Sequence, residues 1–128
     1  VSDSFNPQKG LIVLTVEVVG PVAAAMLRLA LDTGATGTLI NAAPLVALGY
    51  KPALATEQVQ VTTGSGVEFA PRFEVSKLVA LGVEQVNFPV ICHTLPPSAA
   101  VDGLLGLDSL RGRILTIDFV GGQISLRP

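Results

Sequence analysis

Few residues of this 128-residue sequence have side chains and surroundings suited to chemistry. Foremost is Asp32, which stands in Ala30-Leu31-Asp32-Thr33-Gly34-Ala35, an acid delivered at the end of an apolar run. Burying an isolated carboxylate is costly, so an acid among apolar residues has a partner or a use, such as taking a proton from a bound water. Asp, Thr and Gly are also turn formers, and on these residues alone an ordinary turn stays open. Cys92 and His93 are the single cysteine and the single histidine. Neighbours on a strand point to opposite faces, so a buried Cys and an exposed or hydrogen-bonded His are expected rather than a nucleophilic dyad. One thiol makes neither an internal disulfide nor a multi-thiolate zinc site, and one imidazole makes no metal cluster. No metal or cofactor is expected, and the redox compartment stays open.

The elements that must hold Asp32 are short strands. After a polar lead, residues 1–10, the β-branched run from Leu11 to Val19 ends at Gly20-Pro21 and reads as strand then turn. Val22 to Leu31 has the alanines of a helix, but it is caught between that turn and Asp32-Thr33-Gly34, so a strand is expected. Thr38-Leu39-Ile40 makes a further strand, followed by a helix capped by Asn41, running through Leu48 and stopped by Gly49. Glu57 to Thr63 alternates polar and apolar residues and the chain resumes from Val67 toward Leu81, which makes a hairpin tipped by Thr63-Gly64-Ser65-Gly66. Val86 to Thr94 reads as a strand with Pro89 at an edge or bulge. Leu104-Leu105-Gly106 precedes a short helix capped by Asp108 or Ser109 and ended by Gly112. Ile114 to Phe119 and Gln123 to Leu126 form a last hairpin. A faint internal echo links L-A-L-D-T-G-A before the first helix with V-D-G-L-L-G before the second. The sum is one all-β domain, 1–128, with one or two short helices.

Hydrophobic residues make up 49% of the chain and charged residues 14%, against a usual charged share of about 25%. So few charges do not comfortably cover a lone monomer, which points to a partner subunit, a groove or a nearby membrane. The eight Lys and Arg are scattered and the net charge is −2, leaving no electrostatic footprint for nucleic acid. Glu17, Gly20-Pro21 and Arg28 break the apolar tracts well short of the roughly 18 residues of a membrane span. The sequence opens at Val1 without a signal-like start. It therefore reads as a processed or excised fragment, such as the soluble part of a membrane-anchored or secreted protein, and its compartment stays undetermined.

In order and spacing, Asp32-Thr33-Gly34-Ala35, the glycine-tipped hairpin about thirty residues on, and Leu104-Leu105-Gly106 before a short helix resemble the retropepsin-like aspartic proteases. The resemblance runs from Leu11 to Leu126 and implies a closed β-barrel of acid-protease type with one D-T-G lobe per chain. It further implies that two such loops meet across a two-fold axis, their carboxylates sharing a proton. Asp3-Ser4-Phe5, Asp102-Gly103 and Asp108-Ser109 offer no second loop. The implied enzyme is therefore a homodimer with one Asp32 from each subunit, cleaving polypeptide through an activated water without metal or cofactor. By the same resemblance Thr33 hydrogen-bonds across the dimer and Gly34 lets substrate backbone approach. Thr63, Gly64, Ser65 and Gly66 form a flap over an extended peptide. Ala35, Thr36, Leu104 and Leu105 contact substrate, the two leucines also packing beneath the Asp32 loop.

The alternative is a catalytically silent peptide-binding or dimerisation module on the same fold, since a fold does not guarantee its chemistry. A PDZ-like domain, suggested by Gly103-Leu104-Leu105-Gly106, leaves Asp32 unexplained. Thr36, Gly37 and Leu107 stand where retroviral enzymes carry acids and an Arg, so that ion pair is missing. The extra terminal hairpin is more similar to bacterial and cellular members. Ala35 stands where pepsin-like enzymes carry Ser or Thr, whose hydroxyl can donate to an ionised carboxylate. Without that donor, activity is expected to reach mildly acidic or near-neutral pH, and Ala35→Ser to move the pH–rate profile toward acid. An optimum confined to strongly acid conditions, which Ala35→Ser leaves in place, would contradict this.

Overall fold

A computed structural model describes residues 2–128. The wall that carries the acidic turn is a hairpin of β2 (Val13–Val19) and β3 (Ala24–Leu31), with Val13 opposite Ala30 and Val19 opposite Ala24. Its alternation holds up to Leu29, beyond which Ala30 is buried as well. Leu14, Val16 and Val18 of β2 and Leu27 and Leu29 of β3 are buried, while Thr15, Met26 and Arg28 face outward. The alanine-rich segment is a strand, as expected from its confinement. It starts at Ala24 because the Gly20-Pro21 turn closes with the Gly20 amide donating to the Ala23 carbonyl at 2.8 Å.

The remaining strands are β4 (Leu39–Ile40), β5 (Glu57–Thr63), β6 (Gly66–Ala80), β7 (Val83–Cys92), β8 (Gly103–Leu105), β9 (Ile114–Asp118) and β10 (Gln123–Arg127), preceded by β1 (Ser2–Ser4). Six of them, in the order β2-β3-β8-β4-β7-β6, close into a barrel through pairing of β6 with β2 at Glu17↔Val79, Val18↔Leu78 and Val19↔Lys77. The chain thus has the closed acid-protease barrel that the sequence resemblance implied. Inside lies one apolar core, including Leu14, Leu29, Ile40, Leu78, Val90 and Leu105. The 15-residue β6 serves three partners, β2 and β7 along the barrel and β5 beyond it, and changes over at Arg72, which pairs with both Ile91 and Glu57. Past buried Ala70 the β5–β6 hairpin projects outward, with Val67, Glu68 and Phe69 exposed. Pro89 sits where β7 has β6 on one side and no partner on the other, since β4 reaches only Ile91 and Cys92.

Several local expectations change. The polar lead is not all coil: Ser2–Ser4 pairs with Gln123–Ser125 in a second sheet, β1-β10-β9, and Phe5 stacks edge-on against Phe119 at 5.8 Å. The first helix, α1 (Ala42–Ala47), is not capped by Asn41. The Asn41 amide instead joins two distant loops, accepting from the Leu95 amide at 2.9 Å and donating to the Val101 carbonyl at 3.3 Å. Thr94 Oγ1 accepts from the Ala42 amide in its place. The second helix shrinks to one 3-10 turn, Leu107–Ser109, with Gly106 at its N-terminus and no side-chain cap from Asp108 or Ser109. Both of those side chains are engaged elsewhere, as described below.

The strand β8 runs between β3 and β4, parallel to one and antiparallel to the other. At its ends a Cβ on Gly103 would run into the Leu39 carbonyl oxygen, and one on Gly106 into the Gly37 carbonyl. Backbone cannot yield as a flexible side chain can, so Gly103→Ala and Gly106→Ala should each cost about 2 kcal/mol or more in thermal or urea unfolding. Gly64→Ala, whose methyl meets nothing within 4 Å, should stay within about 0.5 kcal/mol of the parent. Equal losses at all three positions would contradict the close-passage account.

Candidate active site

Asp32 is the first residue beyond the hydrogen-bonded end of β3. The Leu31 amide donates to the Ile12 carbonyl at 2.8 Å and the Asp32 amide to the Leu105 carbonyl at 3.0 Å, so the chain is held from both flanks up to the acid itself. The turn then closes on the side chain. Asp32 Oδ1 accepts from the Gly34 amide at 2.9 Å, and the Asp32 carbonyl accepts from the Ala35 amide at 3.1 Å. A side chain at Gly34 would press on the same carboxylate oxygen, at 3.2 Å. Asp32 is half-buried, and among the described residues nothing donates to its second oxygen, Oδ2. One oxygen is oriented and the other is available, which suits a carboxylate that exchanges a proton with a bound molecule.

The rest of the loop is strapped from below. The Leu107 amide donates to the Ala35 carbonyl at 2.8 Å and the Asp108 amide to the Thr36 carbonyl at 3.2 Å. Thr38, fully buried, is the knot. Its hydroxyl donates to Asp108 Oδ1 at 2.7 Å and accepts from the Gly106 amide at 3.1 Å, while its own amide donates to Asp108 Oδ2 at 3.1 Å. Buried Ser109 donates to the Gly106 carbonyl at 2.8 Å, and Gln85 Nε2 donates to the Ser109 carbonyl at 3.2 Å. A carboxylate taking a hydroxyl and an amide together is a charge-assisted pair, stronger than neutral hydrogen bonds. It ties the loop to the 107–109 turn. Thr38 and the role of Asp108 are not apparent from sequence; the signal for Thr38 was a polar residue directly ahead of the apolar pair Leu39-Ile40.

The other candidate residues fall into three groups. Thr33, Gly34 and Thr36 are exposed and Ala35 is half-buried beside Asp32, with no intrachain hydrogen bond from the Thr33 hydroxyl among the described residues. Leu104 is half-buried and lies next to Ala30, on the face of β3 from which Asp32 projects, whereas Leu105 is fully buried and serves the core. Thr63 to Gly66 form the hairpin tip, where Thr63 Oγ1 donates to the Gly66 carbonyl at 3.2 Å and accepts from the Ser65 amide at 3.3 Å. Cys92 is buried, which pushes its thiol up, and His93 points the other way, its Nδ1 3.8 Å from Glu68 Oε2.

Thr38→Val keeps the volume but removes the hydroxyl from Asp108 and from the Gly106 amide. It should lower unfolding stability by about 1–3 kcal/mol, and Thr38→Ser should recover most of that loss. A Thr38→Val protein as stable as the parent would contradict the knot.

The family model described as "gag-polyprotein putative aspartyl protease" matches residues 18–112, from the end of β2 through the Asp32 loop, the β5–β6 hairpin and the Gly106 strap. Among solved structures the fold is similar to a retropepsin-like aspartic protease from Rickettsia conorii, with a TM-score of 0.73 and 17% identity, over 99% of this chain and 91% of that one. At that identity the likeness speaks for the fold. No curated protein matches the sequence. With the matched segment covering most of the barrel and the whole Asp32 loop, the chain belongs to the retropepsin-like aspartyl protease family.

Proposed function

We propose that the protein is a homodimeric aspartic endopeptidase in which Asp32 of each subunit forms the catalytic pair. The observation that carries this is the state of Asp32, with its backbone and one oxygen held and its other oxygen open. One Asp-Thr-Gly loop per chain is half of such a pair. Support for a second copy comes from the exposed Thr33 hydroxyl and from exposed apolar side chains at Ile114, Phe119 and Val120.

Two carboxylates so close cannot both ionise, so the pair holds one proton. The ionised Asp32 takes a proton from water as the oxygen attacks the scissile carbonyl carbon, and the protonated Asp32 gives its proton to the carbonyl oxygen. A neutral tetrahedral diol results, with no covalent enzyme adduct. The carboxyl that is now protonated then gives its proton to the amide nitrogen while its partner takes a proton from a diol hydroxyl, so the C–N bond breaks to an acid and an amine and the pair again holds one proton. The Gly34 amide on Oδ1 keeps the carboxylate plane fixed through these steps. The projecting β5–β6 hairpin, tipped by Thr63 to Gly66, closes over the extended peptide and sheds water from the site. Ala35, Thr36 and Leu104 contact the peptide beside the scissile bond. Leu105, buried, acts on substrate only through the position of the loop above it.

Wild type and Asp32→Asn, incubated with a mixed peptide library from acidic to neutral pH, should differ by about a thousandfold or more in cleavage rate. Sedimentation should show a dimer that forms with concentration. Cleavage by both proteins, cleavage by neither as folded dimers, or a strict monomer at high concentration would overturn the reading.

A further inference from the structure

The face of the β2–β3 hairpin that carries Asp32 also carries a cleft. Arg28 and Ala30 of β3 and Asp32 just past its end alternate to the same side, and Val13 and Thr15 lie beside Ala30 and Arg28. Here a cleft of about 620 Å³ opens between the N-terminal segment and the 99–101 loop, lined among others by Phe5, Lys9, Leu11, Val13, Arg28 and Val101. Two of the chain's eight basic residues line it, and no Asp or Glu does. The guanidinium is held at the wall, Nη1 donating to the carbonyl of Ala100 at 3.4 Å, with Ala100 itself in the left-handed conformation at φ 57°.

The neighbouring acids form no ion pair with these cations. Asp102 Oδ2 is taken by the Arg28 backbone amide at 2.9 Å, and Asp3 lines a separate depression with Thr15 and Met26. Glu17 lies opposite Met26, one step further out on the same face. Among the described residues neither Lys9 nor Arg28 has a carboxylate within 4.0 Å. A partly apolar cleft holding two exposed cations outside any ion pair attracts a chain that brings a carboxylate.

From these features we infer that the cleft is a specificity site for an acidic side chain of the peptide, read by Lys9 and Arg28. Arg28 lies four residues before Asp32, about 13 Å along an extended strand, and an extended substrate covers the same span in about four residues. The favoured Asp or Glu therefore stands three to five positions, roughly, from the scissile bond. Val13, Leu11 and Phe5 give its neighbours apolar contact. The distance from the scissile bond rests on the protease reading; the preference for an acid does not.

The test uses Asp32→Asn protein, which binds without cutting, and fluorescent peptides with an apolar pair at the centre and one Asp moved stepwise away from it. Anisotropy should report about three- to tenfold tighter binding than the all-Ala peptide when Asp stands at the stated distance, fading at high salt. Arg28→Glu with Lys9→Glu should transfer the preference to a Lys in the same place. Both positions are exposed, and circular dichroism verifies the fold. Equal affinity for Asp and Ala peptides, no binding of either, or a preference unmoved by the charge reversal overturns the inference. Acid preference in binding without cleavage by wild type would leave it standing and remove the protease reading instead.

Discussion

The strand from Gly103 to Leu105 lies between β3 and β4 with no space for a side chain at either glycine, and the geometry of the acidic loop depends on this passage. The loop leaves β3 on one side of β8 and returns as β4 on the other, so it must arch over the end of β8. Had Gly106 a side chain, the arch would lift off, and the amides of Leu107 and Asp108 could not reach Ala35 and Thr36. Asp32 is therefore placed less by its own turn than by a segment some seventy residues later, through contacts that a one-methyl change would disturb.

Polar satisfaction in this region is complete, which matters because much of it is dry. Thr38 and Ser109 are the buried polar residues of the core, and every polar atom of both has a partner. Unmet groups there would each cost about 1–3 kcal/mol, enough to unseat a loop that packs little apolar surface of its own. The Asp108 carboxylate, fixed by a neutral hydroxyl and an amide, is less sensitive to salt than an exposed ion pair would be. It also leaves the Thr36 side chain exposed at the rim of the site.

The strands were legible wherever one face of a strand meets the core. A β-branched run marked β2, alternation marked β5, the hairpin tip implied β6, and confinement between turns identified β3 despite its alanines. Their order around the barrel was not, because the parallel pairs β3/β8 and β4/β7 join segments with no local signal for each other. The three polar residues of β1 show no apolar period at all, and only the distant β10 makes them a strand. Caps failed for a shared reason: Asn41 and Asp108 have the right type and place to cap, but partners fifty to seventy residues away claim them. At the site, Asp32, Thr33 and Gly34 were legible because their chemistry and turn geometry are local. Thr38 and Ser109 were not, since a hydroxyl acquires its role from whatever it meets.

The insertion of β8 also bears on the order in which the molecule can be made. During synthesis β2, β3 and β4 emerge early, and the β5–β6–β7 meander can pair with its neighbours as it appears. The barrel has a gap between β3 and β4 until residues 103–109 arrive to fill it, and these are contacts of long sequence separation, slow to form. Until then Asp32 lacks the Leu105 carbonyl beneath it and the strap beneath its loop. The acid is present in the nascent chain long before it is organised. Assembly of the site is thereby tied to near-completion of the fold.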